Sequence, residues 1–329
     1  MKKIILSIFL VATVSSCYED YVNDYDEQYI YFPYQTDVRT FVVGEGMKFS
    51  MAANLVGVID NREDRTVDFQ VDNSLVNAET LAAFKGHASA YIKESFGIIS
   101  SITELSGNEY SILVDGKPSL QTVIKSGEHQ GKITFKADSA AFLSDASRTS
   151  PKFVIPLKIT KVSSPLLFEG KETLVIGVRY ENMLFGYYWH GGVTRVTNAE
   201  GTEVEVIRYP TAIPQSDGLV WKLTTTEPFS LTANAISGEL NSTRQQMKLT
   251  LEANGAITVS SVAGATYAVE PDGQSSYNNA GLLQDRKIFL NYKYSGNGLT
   301  YHATDTLTFR NRIRDGVNET FDENPDKYK

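Results

Sequence analysis

Arg286-Lys287-Ile288-Phe289-Leu290-Asn291-Tyr292-Lys293-Tyr294, followed across the turn Ser295-Gly296-Asn297-Gly298 by residues 299–309, sets the fold of the C-terminal half. In the first segment Ile288, Leu290, Tyr292 and Tyr294 share one parity. In the second, Leu299, Tyr301, Ala303, Leu307 and Phe309 do the same, with Asp305 as the odd member. A period of two sends alternate side chains to opposite faces of an extended strand. Two rows of this kind, joined by a glycine-rich turn, are suited to line a barrel interior.

The same pattern extends outward. Residues 184–194, 203–209, 219–224, 229–233, 246–251, 257–262 and 266–269 read as further strands. Turn signals such as Asn198-Ala199-Glu200-Gly201, Asn254-Gly255 and Pro271-Asp272-Gly273 separate them. A meander of about eight strands on short turns is best closed as an antiparallel β-barrel, because closure removes unpaired edges.

The N-terminal half is also β-rich. Windows 29–32, 39–43, 47–55, 66–71, 110–114, 132–136, 153–161 and 172–180 carry β-branched and aromatic residues in alternation. One helical exception covers residues 79–94, where Leu81, Phe84, Ala88, Tyr91 and Ile92 recur at three- and four-residue spacing behind a candidate N-cap, Asn77. Short strands with one helical excursion predict an immunoglobulin-like β-sandwich over residues 28–181. The expected fold class is therefore all-β, a sandwich followed by a barrel over residues 182–329.

The N-terminus reads as an address. Lys2 and Lys3 precede an apolar stretch, residues 4–14, too short to span a bilayer. Val14-Ser15-Ser16-Cys17 then has the form of a lipoprotein signal, with residues 1–16 as signal peptide and Cys17 as the lipidated residue. Cys17 is the single cysteine of the chain, so it has no intramolecular disulfide partner, whereas a thioether to diacylglycerol needs one sulfur. Residues 17–27 follow with five carboxylates and no cation, the composition of a solvated tether. An acidic run behind a lipidated cysteine resembles the surface-export signal of Bacteroidetes lipoproteins. It implies an outer-membrane protein facing the cell exterior, held by lipid alone; a periplasm-facing lipoprotein with an acidic linker is the alternative.

Composition excludes some classes. The 329 residues are 42% apolar, enough for two domains with real cores. A net charge of −8 without a long basic run argues against nucleic acid as a partner, since phosphate contacts need clustered cations. Stability rests on packing, not on disulfides.

Signals for catalysis are thin. Gly127-Glu128-His129-Gln130-Gly131-Lys132-Ile133-Thr134 is one residue short of a phosphate-binding loop and joins two strands, so it reads as a hairpin turn. Asp60-Asn61-Arg62-Glu63-Asp64 lacks the glycine and distal glutamate of a calcium loop and reads as a solvated hairpin tip. His87, His129, His190 and His302 form no zinc spacing, and no serine occupies a nucleophile elbow. A carboxylate pair for glycoside hydrolysis is a spatial arrangement that the sequence leaves open. No cofactor or metal is expected, and a non-catalytic protein is favoured over an enzyme.

Aromatic residues are the better lead. Both tryptophans lie in the C-terminal half, in Tyr187-Tyr188-Trp189-His190-Gly191-Gly192 and Val220-Trp221-Lys222. Sugar rings stack their C–H faces on flat aromatics and hydrogen-bond at their edges. Trp189, Trp221, Tyr209 and Tyr277 are the candidate glycan platforms, with Asn278, Asn279 and Arg208 close in sequence; core packing is the competing role for each. Gly186-x-Tyr188 with a late Arg310 also resembles the closure of lipocalin-like barrels, where a ring packs under an arginine. That resemblance implies structural roles for Tyr188 and Arg310.

Taken together, Tyr31-Phe32-Pro33, residues 66–72, 131–136 and 153–159, Leu184-Phe185-Gly186-Tyr187-Tyr188 and residues 305–313 resemble a family of Bacteroidetes two-domain surface lipoproteins. The resemblance implies a glycan-binding component of a polysaccharide-utilisation locus, working beside an outer-membrane transporter and its lid lipoprotein. A related N-terminal domain precedes a glycosidase of the endo-N-acetylglucosaminidase type, whose Asp-x-x-Asp-x-Asp-x-Glu motif this chain lacks. Two readings stand: a non-catalytic surface protein that binds oligosaccharide, and a structural or adhesion lipoprotein with a protein-binding face.

Overall fold

The computed structural model describes residues 25–164, 166–213, 219–238 and 245–320. The apolar segment 4–14, Cys17 and residues 18–24 of the acidic tether lie outside the described residues. No described helix is long and apolar enough to cross a membrane.

The first twelve strands build a sandwich. In chain order they are β1 (Tyr29–Tyr31), β2 (Thr36–Val43), β3 (Lys48–Val56), β4 (Arg65–Val71), β5 (Thr103–Glu104), β6 (Tyr110–Val114), β7 (Lys117–Pro118), β8 (Gln121–Ile124), β9 (Gln130–Ala137), β10 (Phe153–Val162), β11 (Leu166–Leu167) and β12 (Thr173–Asn182). One sheet runs β11-β1-β3-β9-β6-β7; the other runs β2-β12-β10-β4-β8, with β5 beside β10. Alternate residues of both sheets meet in one core that includes Phe32, Phe41, Phe69, Phe135, Ile155, Ile176 and Tyr180. β2 and β12 run parallel from Thr36 opposite Val175 to Val43 opposite Asn182. This pairing brings the turn after β2 beside the residues that lead into the second half, and Met183 donates its backbone N–H to Val43 at 3.0 Å.

The helical excursion is two helices instead of one. α1 (Ala78–Lys85) starts at Asn77, whose side chain accepts from the Thr80 N–H at 2.9 Å, and stops at Gly86. α2 (Ala90–Ser95) follows. Gly86 and the residues after it interrupt the helical period, as glycine does just beyond a helix end. Phe84 and Phe96 stack 3.9 Å apart in a satellite core with Val38, Ile92, Val154 and Val175.

Asp60, Arg62, Glu63 and Asp64 are exposed as expected of a solvated tip, but neither this turn nor the one at Gly127 closes a hairpin, because the strands on either side of each lie in different sheets. Asn61 is buried: its Nδ2 donates to the carbonyls of Lys125 and Glu128, and its Oδ1 accepts from Arg65 Nε. These bonds pin the crossing from β3 to β4 against the crossing from β8 to β9, each of which passes from one sheet to the other.

The second half is a barrel of β13 (Gly186–Thr197), β14 (Glu203–Tyr209), β15 (Val220–Glu227), β16 (Ser230–Ala233), β17 (Met247–Leu251), β18 (Ala256–Ser261), β19 (Val269–Pro271), β20 (Ser275–Tyr277), β21 (Lys287–Gly296), β22 (Leu299–Arg314) and β23 (Val317–Glu319). Pairing passes from β13 through β15, β16, β17, β18, β20, β21 and β22, and β22 returns to β13, which closes the ring. Ile288, Leu290, Tyr292, Tyr294, Ala303, Leu307 and Phe309 are buried inside, as the alternation requires. Gly192, with φ +137°, lets the two closing strands approach: a Cβ there would sit 2.3 Å from the Thr304 carbonyl.

Sandwich and barrel are joined by charge. Glu45, in the turn after β2, accepts from both Nη atoms of Arg312 at 2.7 and 2.9 Å and pairs with Arg286 Nη2 at 2.8 Å. All three side chains are buried. Burial alone would raise the Glu45 carboxyl, but the two guanidinium groups outweigh it and hold it at about 2. Arg312 also lies 5.2 Å from the Phe185 ring centroid. The closing arginine is thus Arg312. Tyr188 does not pack under Arg310: its ring meets Phe309 edge-on and its hydroxyl donates to the Leu184 carbonyl.

Candidate functional site

The four aromatic candidates do not share a groove. β15 alternates inward and outward, and Trp221 takes the inward parity with Leu223 and Thr225. It is fully buried and stacks on His190, with ring centroids 4.3 Å apart and planes 7° apart. Trp221 is therefore a core residue and not a platform. Tyr209 is half-buried, its ring tilted against His190 at 4.6 Å, and its hydroxyl accepts from the Gly238 N–H. Burial raises its pKa. Tyr277 lies at the seam between the two halves, where it lines an apolar cavity of about 240 Å³ with Val43, Met183, Phe229 and Leu251.

Around His190 the barrel holds a buried polar cluster. Asp305, the odd member of its strand, accepts from Ser237 Oγ at 2.6 Å, from Tyr292 OH at 2.8 Å, and lies 3.1 Å from His190 Nε2. Tyr294 OH donates to the Ser237 carbonyl and Tyr292 OH accepts from the Ser237 N–H. Burial pushes the Tyr292 hydroxyl far above its ordinary pKa, so it stays a donor.

Serine, histidine and aspartate in contact invite comparison with a nucleophilic relay. The geometry is different. Asp305 and Ser237 both face His190 Nε2, at 3.1 and 3.2 Å, and Nδ1 has no hydrogen-bond partner among the described residues. A relay needs the nucleophile on one ring nitrogen of the histidine base and the orienting carboxylate on the other, with the nucleophile accessible; here all three side chains are buried. The cluster ties the segment after β16 to β13, β21 and β22. Among the described residues no group of three or more His, Cys, Asp or Glu is placed to hold a metal.

Trp189 is half-buried. On β13 it takes the outward parity, and strand register lays out its neighbours. Trp189 stands opposite Thr308, which stands opposite Lys287; one step along, Gly191, Thr306 and Phe289 form the next row. Phe289 is 38% exposed. The Arg310 guanidinium lies 4.9 Å from the Trp189 ring centroid, and Lys222 Nζ lies 5.8 Å from that of Tyr187. At Gly191 a Cβ would be 2.5 Å from the Pro210 carbonyl, so the chain after β14 walls this face on one side. The result is a shallow face of aromatic rings and threonine hydroxyls, with Lys287 beside it and the Arg310 guanidinium over the Trp189 ring. Chemically it suits a ligand with alternating apolar and hydroxyl faces.

Phe289, Thr306, Thr308 and Arg310 are members of this face that sequence reasoning did not select. A signal was present: Phe289 shares its parity with Lys287, Asn291 and Lys293, so an aromatic sits on an otherwise polar face. Asn278 is occupied elsewhere, bonding the backbone of Asp285 and Lys287.

One family model, describing an N-terminal domain, matches residues 25–166. No curated protein matches the chain. Among solved structures, a Bacteroides ovatus protein of unknown function is 19% identical with a TM-score of 0.62, over 91% of this chain and 99% of that one. A second Bacteroides ovatus protein of unknown function is 12% identical, TM-score 0.43, over 90% and 100%. An auxiliary nutrient binding protein from Bacteroides thetaiotaomicron is 15% identical, TM-score 0.42, over 89% and 94%. The first of these shares the fold of this chain along nearly its whole length. The family match and the fold shared with the first structure fit the resemblance to a Bacteroidetes two-domain family drawn from the sequence.

Proposed function

We propose that the protein is a non-catalytic lipoprotein of the outer membrane, facing the cell exterior and anchored through Cys17. Its role is to capture an oligosaccharide for an outer-membrane transporter and its lid lipoprotein. The observation that carries this reading is the outward face of β13, β22 and β21. There Trp189 and Phe289 supply aromatic surface, Thr306 and Thr308 supply hydroxyls, Lys287 supplies a donor at the edge, and Arg310 supplies donors from over the Trp189 ring. It is the grouping of these rings with hydroxyls and cations on one face, not the exposure of any single ring, that supports a ligand site. The contacts need not be strong, because tethering beside a transporter raises the effective ligand concentration. Glycan array screening followed by affinity electrophoresis tests the reading. At least one oligosaccharide retards the protein if it holds. Failure of every glycan, with a pull-down that instead recovers one outer-membrane protein, would favour the adhesion reading.

A further inference from the structure

The sandwich carries a groove of a different character. Two adjoining cavities of about 390 and 420 Å³ share Arg39, Ser50 and Lys132 as walls, and each is within the range of ligand sites. The floor is the outer face of β3 and β9, where Ser50 stands opposite Thr134, Ala52 opposite Lys132 and Asn54 opposite Gln130. From Ser50 to Asn54 this floor extends ~13 Å at the usual strand rise. Tyr34, 53% exposed, stands at one end. Arg314 and Asp315 of the barrel close the other.

The charge in this groove runs against that of the chain, which is −8 overall. Its carboxylates are already engaged. Glu45 is held by Arg286 and Arg312, and Asp315 accepts from the Thr40 hydroxyl at 2.7 Å. Arg39 has its own partner in Asp37, at 2.7 Å. Lys48 and Lys132 are different: both are exposed, and neither has an ion-pair partner among the described residues. Two uncompensated ammonium groups over a floor of hydroxyls and amides, with an exposed tyrosine at the end, match a flexible chain of hydroxylated rings that carries negative charge.

We propose that this groove is a second ligand site, specific for acidic oligosaccharides, whose carboxylate or sulfate groups meet Lys48 and Lys132 while the sugar hydroxyls meet Ser50, Thr134, Asn54 and Gln130. It lies on the sandwich, apart from the Trp189 face, so the two sites can be lost independently. An acidic glycan would thus be held along the sandwich, independently of the Trp189 face of the barrel.

The test is calorimetric titration of the full chain with hexagalacturonate, its methyl-esterified counterpart and a heparin-derived hexasaccharide. At least one of the two acidic probes binds, and its affinity falls as sodium chloride is raised. Lys48→Glu combined with Lys132→Glu weakens that binding by about tenfold or more, while Trp189→Ala leaves it unchanged. Both lysines are on the surface, so the double variant keeps its melting temperature, which is measured alongside. Absence of binding by both acidic probes overturns the proposal. So does equal binding of the methyl-esterified probe, or wild-type affinity in the double variant. Loss of acidic binding in Trp189→Ala alone would place it on the barrel and likewise overturn this site.

Discussion

Replacing Glu45 by glutamine removes one negative charge and little volume, yet it should undo the junction between sandwich and barrel. Arg286 and Arg312 are 1% and 0% exposed, and Glu45 meets both. Breaking a buried pair from one side costs about 3–5 kcal/mol, because the remaining charge is left undercompensated without regaining water; Arg312 keeps Glu319 as a second partner, which favours the lower end. The titration of the carboxyl gives a similar figure. Its pKa falls from 4.5 to about 2 on folding, which at 1.36 kcal/mol per unit is about 3 kcal/mol. The sign follows from the direction. A depressed carboxylate contributes its stability above the unfolded value and loses it as pH falls from 4.5 toward 2. For a unit of this size, about 3 kcal/mol corresponds to a drop in melting temperature of about 6–12 °C. Differential scanning calorimetry of wild type and Glu45→Gln at pH 7 should show that drop, and the gap should narrow when the pair is compared near pH 3. A melting temperature within about 1 °C of wild type at pH 7, or a gap that does not change on acidification, would mean that the Glu45 charge does not hold the junction.

Two further substitutions separate interior from surface. Trp221→Ala removes a fully buried indole stacked on His190 and should cost about 3–5 kcal/mol, read as a lower urea midpoint. Asp305→Ala leaves Ser237, Tyr292 and His190 without their shared acceptor. It should destabilise the barrel by about 3–5 kcal/mol in the same assay, whereas a catalytic role would instead predict loss of an activity with stability intact.

Much of the barrel could be read from parity alone. The rows Ile288 to Tyr294 and Ala303 to Phe309 are inside as their alternation requires, and closure follows from the need to cover edges. The inward place of Trp221 was also legible, since it shares parity with Leu223 in Val220-Trp221-Lys222-Leu223. Trp189 was harder. In Tyr187-Tyr188-Trp189-His190 every position is aromatic, so side-chain type does not reveal which parity faces the core. The split of the helix at Gly86 is a local effect that the three- and four-residue spacing of apolar residues hid. The Glu45 junction joins residues 241 and 267 positions apart in sequence (Arg286 and Arg312), and no local pattern announces such a pair. The groove of Lys48 and Lys132 is legible only once β3 and β9 are known to be neighbours.

Glycan capture on the barrel surface rests on Trp189, and one titration addresses it most directly. Wild type, Trp189→Ala and Trp221→Phe are titrated calorimetrically with the neutral oligosaccharide that gives the strongest response on an array. Trp189→Ala should lose about tenfold or more in affinity with a stability change of about 1 kcal/mol or less. Trp221→Phe should bind as wild type despite a lower melting temperature. Undiminished binding by Trp189→Ala, or binding lost only with Trp221→Phe, would contradict an outward-facing site.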